Sequence, residues 1–530
     1  MNDDNTFQRD HDLWQQCRDL LVQSKHKDGE AQRALLHAAD LEAEIEDPRL
    51  RAEAALLRGR RALAVGCVDD AVDALSRSEG DFIAAGVSRK IGDCCARLAL
   101  AYDTKQRYPE AISALERARD AFQRSRASVI ELIETTESLA LQRLRDGGAS
   151  VAIDELDAAL TNLDSALDGL DSDDEADRTR APSLVRLNLA LARAHAAGGD
   201  YQRAEQIIRR LAADGDAGLQ AQIHETRGYV HASAGRFGRA VPCYAAAESG
   251  YAELVAVAEV AATDGRPSLA GEEELSRLQI GLASCSMALG AALGADRNHV
   301  DAIGRYQAAL AILEQRPSAA TKVIECRLNI GSEALADARY EQAAEHLYRV
   351  DEILSESTGL DSLRAGCATN IGRLLDHDGD HGAAIGRHRE ARSLFLSAGM
   401  REWAARAGLN LAVSLTHATA AGADLPHGSS PIDELLPALL YLDHMRFQFP
   451  TVAARAAWRR TVAGGYQLAF DLADGNPQLV AELIENAVNS GVHSSKPVVA
   501  GDDSNSVLQR EWGSPGDTPP RSSDHGIGDG

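Results

Sequence analysis

A chain of 530 residues suffices for several domains or one long repeat array, and its formal net charge of −25 argues against non-specific binding to nucleic acid or anionic membrane. Aromatic residues make up only 4% of it and no stretch alternates with period two, so stacked helices are expected rather than a sheet or a thick globular core. None of the eight cysteines forms a C-x-x-C pair. They are expected to serve as small buried apolar residues rather than as a disulfide scaffold or a zinc site.

The chain opens on MNDDNTFQRD, which has no apolar core of a secretory signal. Residues 1–10 are expected to fray, and no run of about 18 apolar residues is apparent, so neither a membrane span nor a membrane partner is expected. A cytoplasmic location is the matching expectation. Trp14, Cys17, Leu20 and Leu21 begin a helix, Ala31 to Ile45 make another, and Pro48 opens the next. Residues 1–49 are therefore read as an N-terminal helical cap.

From residue 50 to 425 the chain repeats itself. Cys326 to Leu354 is followed by a second copy, Cys367 to Phe395, in which Cys326 maps to Cys367, Asn329 to Asn370, Gly331 to Gly372, Tyr340 to His381 and Ala343 to Ala384, always 41 residues on. A fixed period of this size marks a repeat architecture. Ile324, Leu328, Ile330 and Leu335, then Ala343, Leu347, Val350 and Leu354, fall at spacings of three, four and seven, predicting two helices. The break between them is only Asp337 to Arg339, so the helices must lie antiparallel. In the second copy Gly379 is placed to end the first helix in a left-handed turn, and Gly331, Gly372, Ala343 and Ala384 let the two backbones approach. The helix ends FIAAG (Phe82 to Gly86) and FLSAG (Phe395 to Gly399) each stop on glycine. Two polar insertions, Leu170 to Ser183 and Thr263 to Gly271, are expected as loops. The first lacks the residue order of a calcium-binding EF-hand loop.

This pattern resembles the tetratricopeptide repeat: a small residue in the first helix, a tight turn, then Ala, a large residue and Ala at spacings of four and three. Ala111, Leu115 and Ala118 fit, as do Ala240, Tyr244 and Ala247, and Ala302, Tyr306 and Ala309. Copies at Ala71 and Leu75 and at Ala204 and Ile208 are weaker. The resemblance implies an all-α, TPR-like helical-hairpin solenoid, a right-handed superhelix whose first helices line a concave groove.

Ala421 to Pro431 reads as a linker, and residues 431–493 as a C-terminal helical segment capping the array, rich in large side chains such as Leu435, Leu439, Trp458 and Phe470. The phrases YLDHMRFQFPTVAARAAW and NPQLVAELIENAVNSG resemble the helical region joining tetratricopeptide arrays to caspase-like CHAT domains in actinobacterial proteins. The CHAT protease domain itself is lacking. The stretch 494–530 is too short for it, no cysteine follows Cys367, and its Ser, Gly, Pro and Asp predict a disordered tail.

No catalytic constellation stands out. His224–Glu225 begins a zinc-protease motif, but Gly228 occupies the second histidine position, and Ser284–Cys285–Ser286 lacks the glycines of a nucleophile elbow. His377, Asp378, Asp380 and His381 form an HDGDH cluster, read as a turn between repeat helices, so neither a metal nor a cofactor is expected. A series of asparagines remains: Asn188, Asn329, Asn370 and Asn410, the last three occupying one slot of successive first helices. An amide both donates and accepts, so such a ladder suits the backbone of an extended peptide. Arg186 and Arg327, each two residues before an asparagine, suit carboxylates. The sequence thus predicts a non-catalytic scaffold or adaptor for a protein or peptide partner. The alternatives are a regulatory sensor or the binding half of a split CHAT-type protease system. It is silent on oligomeric state.

Overall fold

The computed structural model describes residues 2–23, 30–125, 129–167, 173–211, 216–264, 269–357, 359–423, 430–446 and 452–492. The expected disordered tail and residues 424–429 of the linker lie outside them. Among the described residues there are helices and no strand. The first helices are α1 (Asn2–Gln23), α2 (Glu30–Glu44), α3 (Pro48–Ala64), α4 (Val68–Ala85), α5 (Ser88–Thr104), α6 (Tyr108–Ser125), α7 (Val129–Arg145) and α8 (Ala149–Leu167). They are followed by α9 (Asp173–Ala197), α10 (Tyr201–Arg209), α11 (Ala217–Ser233), α12 (Phe237–Asp264), α13 (Leu269–Ala295) and α14 (His299–Leu313). Then come a 3-10 turn (Pro317–Ala319), α15 (Ala320–Ala336), α16 (Tyr340–Ser355), α17 (Asp361–His377), α18 (His381–Ser397) and α19 (Arg401–Ala420). The last three are α20 (Pro431–Met445), α21 (Val452–Leu472) and α22 (Pro477–Val492). Successive helices pack side by side as hairpins, so the fold is all-α and TPR-like. The chain forms two compact units. Among the described residues, one covers 2–296 and 304–326 and the other 297–303 and 327–492, the division passing through α14 and α15.

One steric rule recurs in the hairpins. A Cβ added to Gly59, Gly228, Gly331 or Gly372 would come within 2.6 Å of Leu75, 2.8 Å of Tyr244, 2.7 Å of Leu347 or 2.5 Å of His388. In each case the large residue lies sixteen positions on, in the second helix, four residues after an alanine of the repeat. The glycine is a hole, and that side chain fills it; density of this kind leaves no room for a methyl group. The cysteines have a matching place. Cys285, Cys326 and Cys367 donate to the backbone carbonyls of Tyr244, Tyr306 and Leu347 at 3.4, 3.0 and 3.5 Å, joining one hairpin's first helix to the large residue of the hairpin before it. All eight thiols are free, and six are buried. Burial pushes the Cys17, Cys94 and Cys367 thiols up to about 12, which keeps them protonated and unreactive near neutrality.

Helix ends follow local chemistry. Asp47 caps α3, accepting from the Arg49 and Leu50 amides at 2.8 and 2.9 Å ahead of Pro48. Gly86 ends α4 at φ +69°, and Gly379 follows α17 at φ +82°. The equivalent of Gly379 in the preceding hairpin is Ala338, at φ +56°. A buried ion pair, Arg58 to Glu42 at 2.7 Å, ties α3 to α2.

Three expectations are corrected. Residues 2–10 are helical rather than frayed, and Asp10 is buried because its carboxylate accepts the Glu46 and Asp47 amides at 3.0 and 2.7 Å. Most of the expected loop at Leu170 to Ser183 is helix: α9 starts at Asp173 and carries Pro182 within its length. Finally, Gly271–Ala295 of α13 is long and apolar enough to cross a membrane by length and composition. Half of that window is buried in the array, with Cys285, Leu289 and Ala292 packed in one core with Tyr244 and Tyr251 of α12.

The C-terminal segment is helical as expected. Leu435, Leu439, Leu442, Val462 and Leu483 form one core that also includes Ala405 and Ala412 of α19, and the Trp458 indole donates to the Leu442 carbonyl at 2.7 Å. The segment thereby buries the apolar face of the array's last helix.

Candidate functional site

Within the first unit the hairpins curl until distant helices meet. Arg60 of α3 forks onto Glu273 of α13 at 2.7 and 3.0 Å, 213 residues away, and Arg61 reaches Glu272 at 3.2 Å. The Thr321 hydroxyl donates to the Thr104 carbonyl at 2.9 Å. A cavity of about 380 Å³ opens in this unit among α7, α9, α11, α12 and α13. Ile130, Ile133, Leu219, Leu254 and Leu278 supply its apolar wall, and Ser183, Arg186, Asp216, Gln222, Tyr251, Glu274 and Arg277 its polar groups.

The arginines that line this cavity are already paired. Arg186 pairs with Glu134 at 2.9 Å and lies 3.9 Å from Glu137, while Arg277 pairs with Glu274 at 2.6 Å. Burial pushes the Glu137 carboxyl up to about 7, with Arg186 opposing. Arg193 holds Glu225 at 2.9 Å, and the Tyr251 hydroxyl donates to the same carboxylate at 2.8 Å. The glutamate of the abortive zinc motif is thus an anchor for two neighbouring helices.

A second cavity, of about 280 Å³, lies in the second unit between α17, α18 and α19, where Arg373, Asp376, His388, Asn410 and His417 reach its wall. Asp376 is the hub. It meets His381 Nδ1 at 2.8 Å and His417 Nδ1 at 3.7 Å, and it accepts from the Ser414 hydroxyl at 2.6 Å. The HDGDH residues do not converge. His377 stacks on Tyr340 with ring centroids 3.4 Å apart, Asp380 caps α18 through the Ala383 amide, and only His381 turns to Asp376.

Of the sequence-predicted residues, Arg186 lines the first cavity and Asn410 the second. Asn188 donates to the Leu184 carbonyl of its own helix at 2.7 Å. Asn329 and Asn370 are buried, at 3% and 4% exposure, and Asn370 accepts from Arg373 at 3.4 Å. Arg327 is half-buried on α15. Asp376, His388 and His417 escaped the sequence reading. The signal was available at the repeat offset: Leu335, Tyr340 and Leu347 of one copy become Asp376, His381 and His388 of the next.

No family model matches the chain, and no curated protein does. Solved structures similar to it include the apo form of RapI, at 14% identity over 68% of this chain and 87% of that one, TM-score 0.41. A Rap protein complexed with Competence and Sporulation Factor gives 11% identity, 79% and 99% coverage and TM-score 0.37. A signal transduction ATPase with a tetratricopeptide repeat sensor from Pyrococcus horikoshii gives 10% identity, 71% and 54% coverage and TM-score 0.40. None of these descriptions names a CHAT protein, and the expected resemblance of residues 431–493 gains nothing from them.

Proposed function

We propose that the chain is a non-catalytic adaptor that binds a protein or peptide partner, and that a segment of the partner enters the cavity of the first unit. The observation carrying this reading is the composition of that cavity: branched aliphatic side chains from α7, α11, α12 and α13, interrupted by Ser183, Gln222 and Tyr251. A wall of this kind suits an apolar side chain flanked by peptide groups, the first burying area and the second taking the hydrogen bonds. Arg186 and Arg277 are neutralised by Glu134 and Glu274, so an acidic segment would have to displace these carboxylates. With a net charge of −25, the chain favours a partner whose flanks are neutral or basic. Among the asparagines we assign partner contact to Asn410. The burial of Asn329 and Asn370 fits helix packing better.

The test is site-specific photo-crosslinking of the full chain in its native cell, with the reactive group at Gln222 inside the cavity or at the exposed Ile83 on α4. The expected outcome is an adduct with one partner segment from position 222 alone, lost when Leu278→Glu places a charge in the apolar wall. Equal labelling from both positions, or labelling at 222 that survives Leu278→Glu, would refute it.

A further inference from the structure

We propose that Asp376, His381 and His417 form a binding site for a divalent first-row transition metal of the zinc type. Each offers one ligand atom, and these atoms all lie within 4.8 Å of one another. The carboxylate-to-imidazole separations, 2.8 Å to His381 and 3.7 Å to His417, bracket the roughly 3–3.5 Å between donors that share a metal at about 2.1 Å. Asp376 and His381 side chains are 12% and 18% exposed and come from packed helices. His417, at 51%, is free to adjust. Ser414 donates to Asp376 Oδ2 at 2.6 Å, the kind of outer contact that fixes a ligating carboxylate.

A second, independent observation points to a ligand. His388 is 1% exposed, neither ring nitrogen has a hydrogen-bond partner, and it lies on the wall of the cavity that Asp376 and His417 share. The equivalent residue in the preceding hairpin is Leu347, which fills the same hole without the desolvation cost of an imidazole. A buried polar ring without a partner is unfavourable unless something in the cavity meets it. Two imidazoles and one carboxylate match the ligand set of borderline divalent metals, whereas calcium and magnesium favour oxygen throughout. Three protein ligands also leave a coordination position for water or for a donor atom of a bound partner.

The experiment uses the full chain, stripped with chelator and titrated with Zn²⁺ alone by calorimetry, and with Co²⁺ alone by absorption. The expected result is one zinc per chain and a cobalt spectrum without thiolate charge transfer. His417→Ala and His381→Ala should weaken binding by more than about 100-fold, and Ser414→Ala by about 10-fold, as losses of inner and outer partners do. His224→Ala in the first unit should change nothing. Helix content and melting temperature in chelator establish that each variant is folded, and His417→Ala, on a half-exposed helical position, is the variant least able to disturb packing. Absence of stoichiometric zinc, thiolate bands with cobalt, or full affinity in folded His417→Ala would each overturn the assignment.

Discussion

The hairpins at 326–354 and 367–395 occupy the same geometry with different chemistry. In both, a first-helix glycine faces a second-helix side chain, Gly331 against Leu347 and Gly372 against His388, and a cysteine thiol bonds the carbonyl of the preceding hairpin's large residue. The backbone rules are kept while three slots, Leu335, Tyr340 and Leu347, turn polar as Asp376, His381 and His388. At the most buried of these slots, His388 fills the volume with an imidazole that has no hydrogen-bond partner, a desolvation cost to stability that Leu347 does not carry. That loss marks where to look for function.

The largest break in the comparison should come from emptying the two holes. Leu347→Ala removes a fully buried side chain and is expected to cost about 2–5 kcal/mol, read as a fall in the denaturant midpoint. His388→Ala should cost clearly less, because it also removes an imidazole that has no partner. Equal losses at the two positions would show that His388 packs as well as leucine.

Acid should separate the copies next. Burial holds the His388 imidazole down at about 4, below its ordinary 6.5. The unfolded chain therefore binds the extra proton first, and stability is complete above about pH 6.5 and declines as pH falls toward 4. In chelator, the His388 contribution lost between pH 7 and pH 5 is on the order of 2 kcal/mol, read as the difference between the wild-type and His388→Leu profiles, because the Glu137 carboxyl, pushed up to about 7, changes stability in the opposite direction over the same range. An unchanged pH profile in His388→Leu would place the titration elsewhere.

Filling the holes sharpens the comparison further. Gly331→Ala and Gly372→Ala each drive a methyl group into the facing side chain and should cost about 1–3 kcal/mol. His388→Ala should rescue Gly372→Ala, whereas it should do nothing for Gly331→Ala. The smallest effect is expected at the turns. Ala338 sits at φ +56° where the next copy has Gly379, so Ala338→Gly should raise stability by about 0.5–1 kcal/mol and Gly379→Ala should lower it by a similar amount.

The residues alone determined the helical hairpins, because an apolar period, a short break and a small-to-large pairing are all local patterns. The recurrence of Asn329, Asn370 and Asn410 was equally plain, but their exposure was not. The same helical slot is buried at 3–4% for Asn329 and Asn370, while Asn410 reaches a cavity wall. Local pattern also missed the helix that α9 forms from Asp173 on and the long apolar run of α13, half of which is buried. Only the tertiary structure decided that Arg60 meets Glu273 and that Asp376 gathers His381 and His417. Those contacts join side chains from different helices, in one case 213 residues apart, and depend on how hairpins stack. Stacking angles are set by the summed shapes of many interlocking side chains, and no periodicity in the sequence records that sum.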